Sequence, residues 1–325
     1  MKNILIVIDD IEFKYFEFNK LVTNFWFVWE YLNREFNVFI ALKGGLFQKN
    51  NIPFAFCYKT YLQNNDIKKE KERIKICLND FDTIFFRPDP PVDIDYINAT
   101  YILSYVDEKV LIINKPTALR EKNEKLYINE FQGLIPENIV CADEKEIKEF
   151  LFEHKEIIIK PTNRCFGGGV FYLNDKDKNI NAILQTATNN SKTHVMVQKY
   201  LPQATNGDKR LIYICGKLYD YCVRKVPSNN DFKFAEHNKD TLKFAQLTNE
   251  EKELEAKIKD KFEHDGIYLA GLDVIDGKII EINITSPCFF IKEINEIFNI
   301  NFEKMIIDRI EEFSNAYNNK ILAIK

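Results

Sequence analysis

Short, mostly apolar runs bounded by polar or turn-forming residues recur through the first third of the chain, at residues 4–8, 38–42, 83–86 and 110–113. Runs of this length without polar alternation are the pattern of strands buried on both faces. The stretches at 19–33 and 66–78 have room for helices. Alternating β and α segments predict a parallel sheet flanked by helices. After the third run, the prolines of Arg87-Pro88-Asp89-Pro90-Pro91 forbid continuing a strand or a helix. That segment reads as a stiff loop at a strand's carboxyl end, where open α/β sheets place ligand groups.

The fourth run ends at Asn114-Lys115-Pro116, and residues 120–131 have the composition of a helix carrying Lys125. Residues 144–154 read as a helix and 157–160 as a strand ending in Lys160. Residues 161–169 form a loop, and 170–173 a second β-segment. A loop from strand to strand differs from the P-loop and the Rossmann fingerprint, which run from strand into helix. Residues 195–200, 211–215, 217–221, 269–275 and 278–284 read as strands, and Asp276-Gly277 between the last two is a hairpin signal.

Composition narrows the class. The 325 residues are 46% hydrophobic and 29% charged, as in an ordinary soluble globular protein. Only 11 are glycine, which excludes collagen-like and linker-like chains, yet Gly167, Gly168 and Gly169 are consecutive. Lys+Arg number 45 and Asp+Glu 49, a net charge of −4, so nothing attracts nucleic acid globally. The run Lys68-Lys69-Glu70-Lys71-Glu72-Arg73 mixes both signs and reads as a solvated helix face. No segment reaches the ~18 apolar residues that span a bilayer, and the apolar start is too short for a signal peptide. Seven cysteines without C-x-x-C and four isolated histidines give no zinc pattern. Free thiols in a reducing compartment follow, and the expected location is cytoplasmic.

Three constellations carry candidate chemistry. Lys125, Lys160 and the Gly167-Gly168-Gly169 loop combine positive charge with backbone N–H groups able to approach phosphate closely. A flexible turn with incidental lysines is the alternative. Glu281 and Asn283 share a strand face, and with Asp273 they are a hard-oxygen set suited to magnesium beside phosphates. A strict two-residue hairpin pairs Asp273 with Ile280, on the wrong face. The metal reading therefore requires a three-residue turn or a bulge that sets Asp273 opposite Glu281. Asn206-Gly207-Asp208-Lys209-Arg210 leads into a strand, with Asp208 and Arg210 on one face.

In this order the residues resemble bacterial glutathione synthetases, members of the ATP-grasp superfamily. The resemblance rests on Arg87 to Pro91, residues 99–103, Asn114-Lys115-Pro116 with Leu119-Arg120, Asn123-Glu124-Lys125-Leu126 and Ile159-Lys160-Pro161. It continues through Gln198-Lys199-Tyr200-Leu201-Pro202, Gly207-Asp208-Lys209-Arg210, Gly271-Leu272-Asp273 and Glu281-Ile282-Asn283-Ile284-Thr285-Ser286-Pro287. It implies an α/β protein with an ATP-grasp fold preceded by a parallel α/β domain. The implied divisions are 1–120, a small lid subdomain at 121–201, and a metal-bearing subdomain at 202–325. The implied reaction is ATP-dependent ligation of γ-glutamylcysteine to glycine through an acyl phosphate. Lys125, Lys160, Gly167, Gly168 and Gly169 then face ATP phosphates, and Gln198, Lys199, Tyr200 and Leu201 form the adenine hinge. Asp273, Glu281 and Asn283 hold magnesium, with manganese as the alternative. Arg210, Asp208 and Lys225 serve the acyl phosphate. The family also implies a homotetramer, while the charge balance and the short apolar runs lead us to expect neither nucleic-acid nor membrane partners.

The chain departs from the family in three loops. The lid pattern Gly-x-Gly-Gly-x-Gly reads Arg164, Cys165, Phe166, Gly167, Gly168, Gly169 here. Where the family carries arginines and glycines, this chain has Lys225-Val226-Pro227 and then Lys233, Phe234, Glu236 and His237. Cys288-Phe289-Phe290 replaces small residues, and residues 11–20 show no peptide-binding match. Two further readings therefore stand: a related ligase for another acid or amine, its pocket reshaped by Lys233, Glu236, His237, Phe289 and Phe290, or a non-catalytic nucleotide-binding relative.

Overall fold

The computed structural model describes residues 1–16, 20–164, 168–226 and 242–324. Its first third contains β1 (Asn3–Ile8), α1 (Asp10–Tyr15), α2 (Thr23–Asn33), β2 (Asn37–Lys49), β3 (Ile52–Gln63), β4 (Asp66–Lys69), β5 (Ile74–Cys77), β6 (Thr83–Phe86), α3 (Ile94–Leu103), β7 (Leu111–Ile113) and α4 (Pro116–Glu121). The sheet order is β4-β3-β2-β1-β6-β7, with β5 beside β3. β1 pairs in parallel with β2 and β6, and β6 with β7, as the apolar runs predict. Ile4 to Ile8 are fully buried because helices cover both faces. The chain leaves β1 toward one side and returns on the other, so the switch point lies at its carboxyl end. There Asp9 caps α1 by accepting from Glu12 N at 2.8 Å.

Residues 66–78 are not helical, which corrects the expectation. They form β4 and β5, both antiparallel to β3. The cause is local: Asn50-Asn51 and Asn64-Asn65 each have positive φ at both positions. That geometry makes tight, correctly twisted hairpins, and asparagine tolerates it. The mixed-charge run 68–73 thus spans the end of β4 and the turn into β5.

A second sheet contains β8 (Asn138–Cys141), β9 (Glu156–Pro161), β10 (Phe171–Asn174) and β11 (Val195–Lys199), with α5 (Glu144–His154) and α6 (Ile180–Ala187). Its order is β10-β9-β11-β8, all antiparallel. Asp143 caps α5, whose Ile147, Phe150 and Leu151 are buried at helical spacing.

The third sheet holds β12 (Asp208–Ile214), β13 (Lys217–Leu218), β14 (Tyr221–Lys225), β15 (Leu242–Gln246), β16 (Leu269–Ile275) and β17 (Lys278–Asn283). α7 (Asn249–Asp265), α8 (Ile291–Phe298) and α9 (Phe302–Ile324) accompany it. A capping box between Thr248 and Glu251 starts α7, and left-handed Gly266 ends it. Residues 217–221 are not one strand, since the chain bends between β13 and β14.

Apolar side chains of the first and third sheets share two continuous cores, one including Leu5, Val7, Leu211, Phe262 and Leu272, the other Ile4, Ile6, Ile212, Phe289 and Phe302. The second sheet has its own core around Ile147, Leu151, Ile159, Leu184 and Val197. Phe289 and Phe290 are buried core residues rather than pocket walls. Phe289 packs on Phe27 with ring centroids 6.4 Å apart, because burying a ring stabilises more than lining a polar site.

Candidate active site

The site is built where β12, β16 and β17 lie side by side. The turn at Asp276-Gly277 has two residues, both with positive φ. It pairs Ile275 with Lys278 and Val274 with Ile279. The register then shifts, Ile280 becomes the extra residue of a bulge, and Asp273 stands opposite Glu281. Of the two irregularities the metal reading allows, the chain uses the bulge. Asp273, Glu281 and Asn283 thereby reach one face.

Cations surround these carboxylates. Arg210, opposite Asp273 on β12, donates from Nε to Asp273 Oδ1 at 2.6 Å and from Nη2 to Oδ2 at 2.9 Å. Such a bidentate fork fixes both partners. Lys225 Nζ lies 3.0 Å from Asp208 Oδ2 and 3.4 Å from Asp273 Oδ1. Asn283 Nδ2 donates to Gly271 O at 3.2 Å and Asp273 Oδ2 at 3.3 Å. Lys125 Nζ donates to Glu281 Oε1 at 3.1 Å and Arg164 O at 2.7 Å. Lys160 Nζ donates to Ile280 O at 3.2 Å. Candidates separated by up to 158 residues in sequence are thus gathered along β17.

Burial pushes the Asp273 carboxyl up, but Arg210 and Lys225 overcome it and hold Asp273 well below the usual carboxylate range. Asp208 is raised by burial, opposed by Lys225. Among the described residues, its Oδ1 is buried without a hydrogen-bond partner. Burial lowers Lys160 despite the attraction of Glu281. Lys225 is raised, because Asp273 and Asp208 outweigh its burial. Two carboxylates and a carboxamide are hard oxygen donors, so this donor set fits a magnesium-type cation.

Lys125 is not on a helix, which corrects the expectation over 120–131. α4 stops at Glu121, and the Asn123 side chain accepts from Lys125 N at 3.0 Å and Leu126 N at 3.1 Å. This Asx turn competes with helix, and only a short 3₁₀ turn at Tyr127–Glu130 follows. Glu124 Oε1 accepts from Ile284 N at 2.7 Å, Thr285 N at 2.9 Å and Thr285 Oγ1 at 3.0 Å. It ties the Lys125 segment to the end of β17, a function that motif spacing did not signal.

At the expected hinge, Gln198 and Lys199 end β11, with Tyr200 and Leu201 following. Lys199 N donates to Glu137 O at 2.9 Å and Tyr200 N to Glu156 O at 3.0 Å. Gly168 and Gly169 lie in the loop between β9 and β10, Gly169 with φ +74°. Gly167, Cys165, Phe166, Lys233, Phe234, Glu236 and His237 lie outside the described residues.

A second charged cluster, missed in the sequence reading, sits at the carboxyl ends of β1 and β6. Arg87 is buried, donating from Nε to Asn24 Oδ1 at 2.5 Å and from Nη2 to Pro287 O at 2.8 Å. Its guanidinium lies 5.6 Å from both the Phe27 and Phe289 rings. Asn24 Nδ2 donates to Glu12 Oε2 at 2.9 Å. Burial pushes the Glu12 carboxyl up to about 8.

The three sheets and this charged face belong to an ATP-grasp ligase, the class that the family match identifies. Residues 124–299 match the family model for the prokaryotic glutathione synthetase ATP-grasp domain, and residues 3–120 match that for its N-terminal domain. The chain belongs to the prokaryotic glutathione synthetase family. It is 34% identical over 239 residues to the glutathione synthetase of Synechococcus elongatus, covering 73% of each chain. To that of Vibrio parahaemolyticus it is 35% identical over 242 residues, 74% of this chain and 76% of the relative. In fold it is similar to a D-cycloserine synthetase, with a TM-score of 0.65 at 13% identity, covering 98% and 99% of the two chains. It is also similar to the ATP-grasp ligase PsnB complexed with minimal precursor, Mg and ADP, with a TM-score of 0.59 at 15% identity, covering 96% and 98%. Among the described residues no helix is long and apolar enough to cross a membrane.

Proposed function

We propose that this chain joins γ-glutamylcysteine to glycine with ATP, through an acyl phosphate, and releases ADP and phosphate. The observation that carries this is the face on β12, β16 and β17 where Asp273, Glu281 and Asn283 meet Arg210, Lys225, Lys125 and Lys160. Family membership supplies the substrates. Asp273, Glu281 and Asn283 hold magnesium, or manganese in its place; when bound, the ion neutralises charge developing on the transferring phosphoryl group.

The chain's own residues do the rest. Lys125 and Lys160, now on Glu281 and the Ile280 carbonyl, turn to the ATP phosphates, aided by the loop through Gly167, Gly168 and Gly169. The hinge from Gln198 through Lys199 and Tyr200 to Leu201 reads the adenine with backbone groups of Lys199 and Leu201. The cysteinyl carboxylate attacks the γ-phosphorus, and Arg210, with Asp208 and Lys225 beside it, stabilises the charge on the acyl phosphate. The glycine amine then attacks the acyl carbon, phosphate leaves, and the amine loses its proton. No protein nucleophile is required.

We read the chain as three domains, 1–120, 121–201 and 202–325, a division supported by the separate core of the second sheet. The free thiols, among them buried Cys57, Cys215 and Cys222, suit a cytoplasmic enzyme. A homotetramer is the assembly its family suggests. The test is ADP release from Mg-ATP and γ-glutamylcysteine, with and without glycine. Glycine-dependent release is expected. Release only with other amines points to a different acceptor, and ATP binding without release to a non-catalytic relative.

A further inference from the structure

Gly207 and Gly271 are both glycine, for different reasons. Gly207 has φ +93°, and a Cβ there would sit 2.3 Å from the Lys225 carbonyl oxygen, so the main chain itself demands glycine. Gly271 lies inside β16 in ordinary strand conformation, where a side chain normally strengthens a strand. What a Cβ would meet at Gly271 is Arg210, with Cδ at 2.8 Å and Nε and Nη1 at 3.2 Å.

The register explains this contact. Gly271 and Asp273 share a face of β16, and Arg210 stands opposite Asp273. Asn283, opposite Gly271, also donates to the Gly271 carbonyl. The Arg210 side chain lies flat across the bare position at 271 while its guanidinium engages both oxygens of Asp273. We propose that Gly271 is a positioning residue for the ligase reaction: its missing side chain is the shelf that lets Arg210 form its two-bonded fork with Asp273. The inference deepens the proposed function and rests on it for its catalytic consequence, though not for the geometry.

A methyl group at 271 displaces a flexible side chain rather than the main chain, so Gly271→Ala keeps the fold and moves Arg210. The test is a double-mutant cycle of Gly271→Ala with Arg210→Ala, read in turnover and in thermal unfolding, together with a crystal structure of Gly271→Ala. The expected result for Gly271→Ala alone is a kcat lowered about tenfold or more with KM for ATP within about twofold. Its melting temperature also falls. In the Arg210→Ala background, where turnover is already lost, the same substitution leaves the melting temperature nearly unchanged, because nothing remains to displace. In the crystal structure, Arg210 Nε is expected beyond hydrogen-bond reach of Asp273 Oδ1. An unchanged fork, or equal losses of melting temperature in both backgrounds, overturns the proposal. A wild type that releases no ADP contradicts the ligase reading alone; the crystal structure and the unfolding cycle then still decide the shelf.

Discussion

Two buried charged clusters in this molecule use similar residues to opposite effect. On the third sheet, Asp273 is met by Arg210 and Lys225, and its carboxyl is held well below the usual range. At the ends of β1 and β6, Arg87 donates to the neutral oxygens of Asn24 and Pro287, and among the described residues the Glu12 side chain accepts a hydrogen bond from the Asn24 amide alone. Burial then wins, and the Glu12 carboxyl rises to about 8. A cation aimed at a carboxylate keeps its charge in place, whereas one directed to amide oxygens acts as a structural bolt. The first arrangement is the one we propose to face the metal and phosphates. The second fastens α2, the Arg87 loop and the Pro287 segment together.

Breaking the first cluster has the largest expected effect. Asp273→Asn leaves Arg210 and Lys225 without their shared counter-charge, and stability falls by about 3 kcal/mol, measured by urea unfolding at pH 7. Because the folded value of Asp273 lies below its unfolded value of 3.8, its contribution is complete above that pH. It disappears as pH falls toward the folded value, so wild type and variant converge in acid. ADP release is lost in the same variant.

In the second cluster, Arg87→Met leaves the Asn24 and Pro287 oxygens without their donor inside the core. A loss of about 2 kcal/mol in the same unfolding measurement is expected, smaller than for Asp273→Asn. The remaining effect has the opposite sign. A carboxyl whose folded value is raised from 4.5 to about 8 opposes folding once pH exceeds its unfolded value, and the penalty grows until pH passes about 8. Glu12→Gln keeps the shape and removes the charge. It is expected to leave stability unchanged near pH 4 and to increase it progressively as pH rises toward about 8. A gain already present at pH 4 contradicts this origin.

The two clusters also differ in how far the sequence reveals them. Glu281 and Asn283 declare a shared face through two-residue spacing, and Asp276-Gly277 declares the hairpin. An irregularity in this hairpin could be named in advance because the metal reading required either a three-residue turn or a bulge; that it is a bulge at Ile280 is visible only in the folded chain. The parallel strands β1, β2, β6 and β7 were legible because double burial leaves an unbroken apolar run. Residues 66–78 suggest a helix because their lysines and glutamates carry no period, and the decisive signal lies in Asn64-Asn65. The composition of 120–131 suggests a helix through Lys125, because it carries no sign of the tertiary grip of Glu124 on Ile284 and Thr285. Glu12, Asn24, Arg87 and Pro287 share no spacing at all, so only the folded chain brings them together.

The central claim is that the face on β16 and β17 holds the metal of a metal–nucleotide complex. The most direct measurement is an electron paramagnetic resonance titration of manganese in the presence of ADP, on the wild-type chain and on Glu281→Gln. This substitution removes one hard-oxygen charge and keeps the side chain's shape. The wild type is expected to bind, with affinity at least about tenfold lower in the variant and ADP release abolished. Equal manganese affinity and near-normal turnover in Glu281→Gln contradict the account.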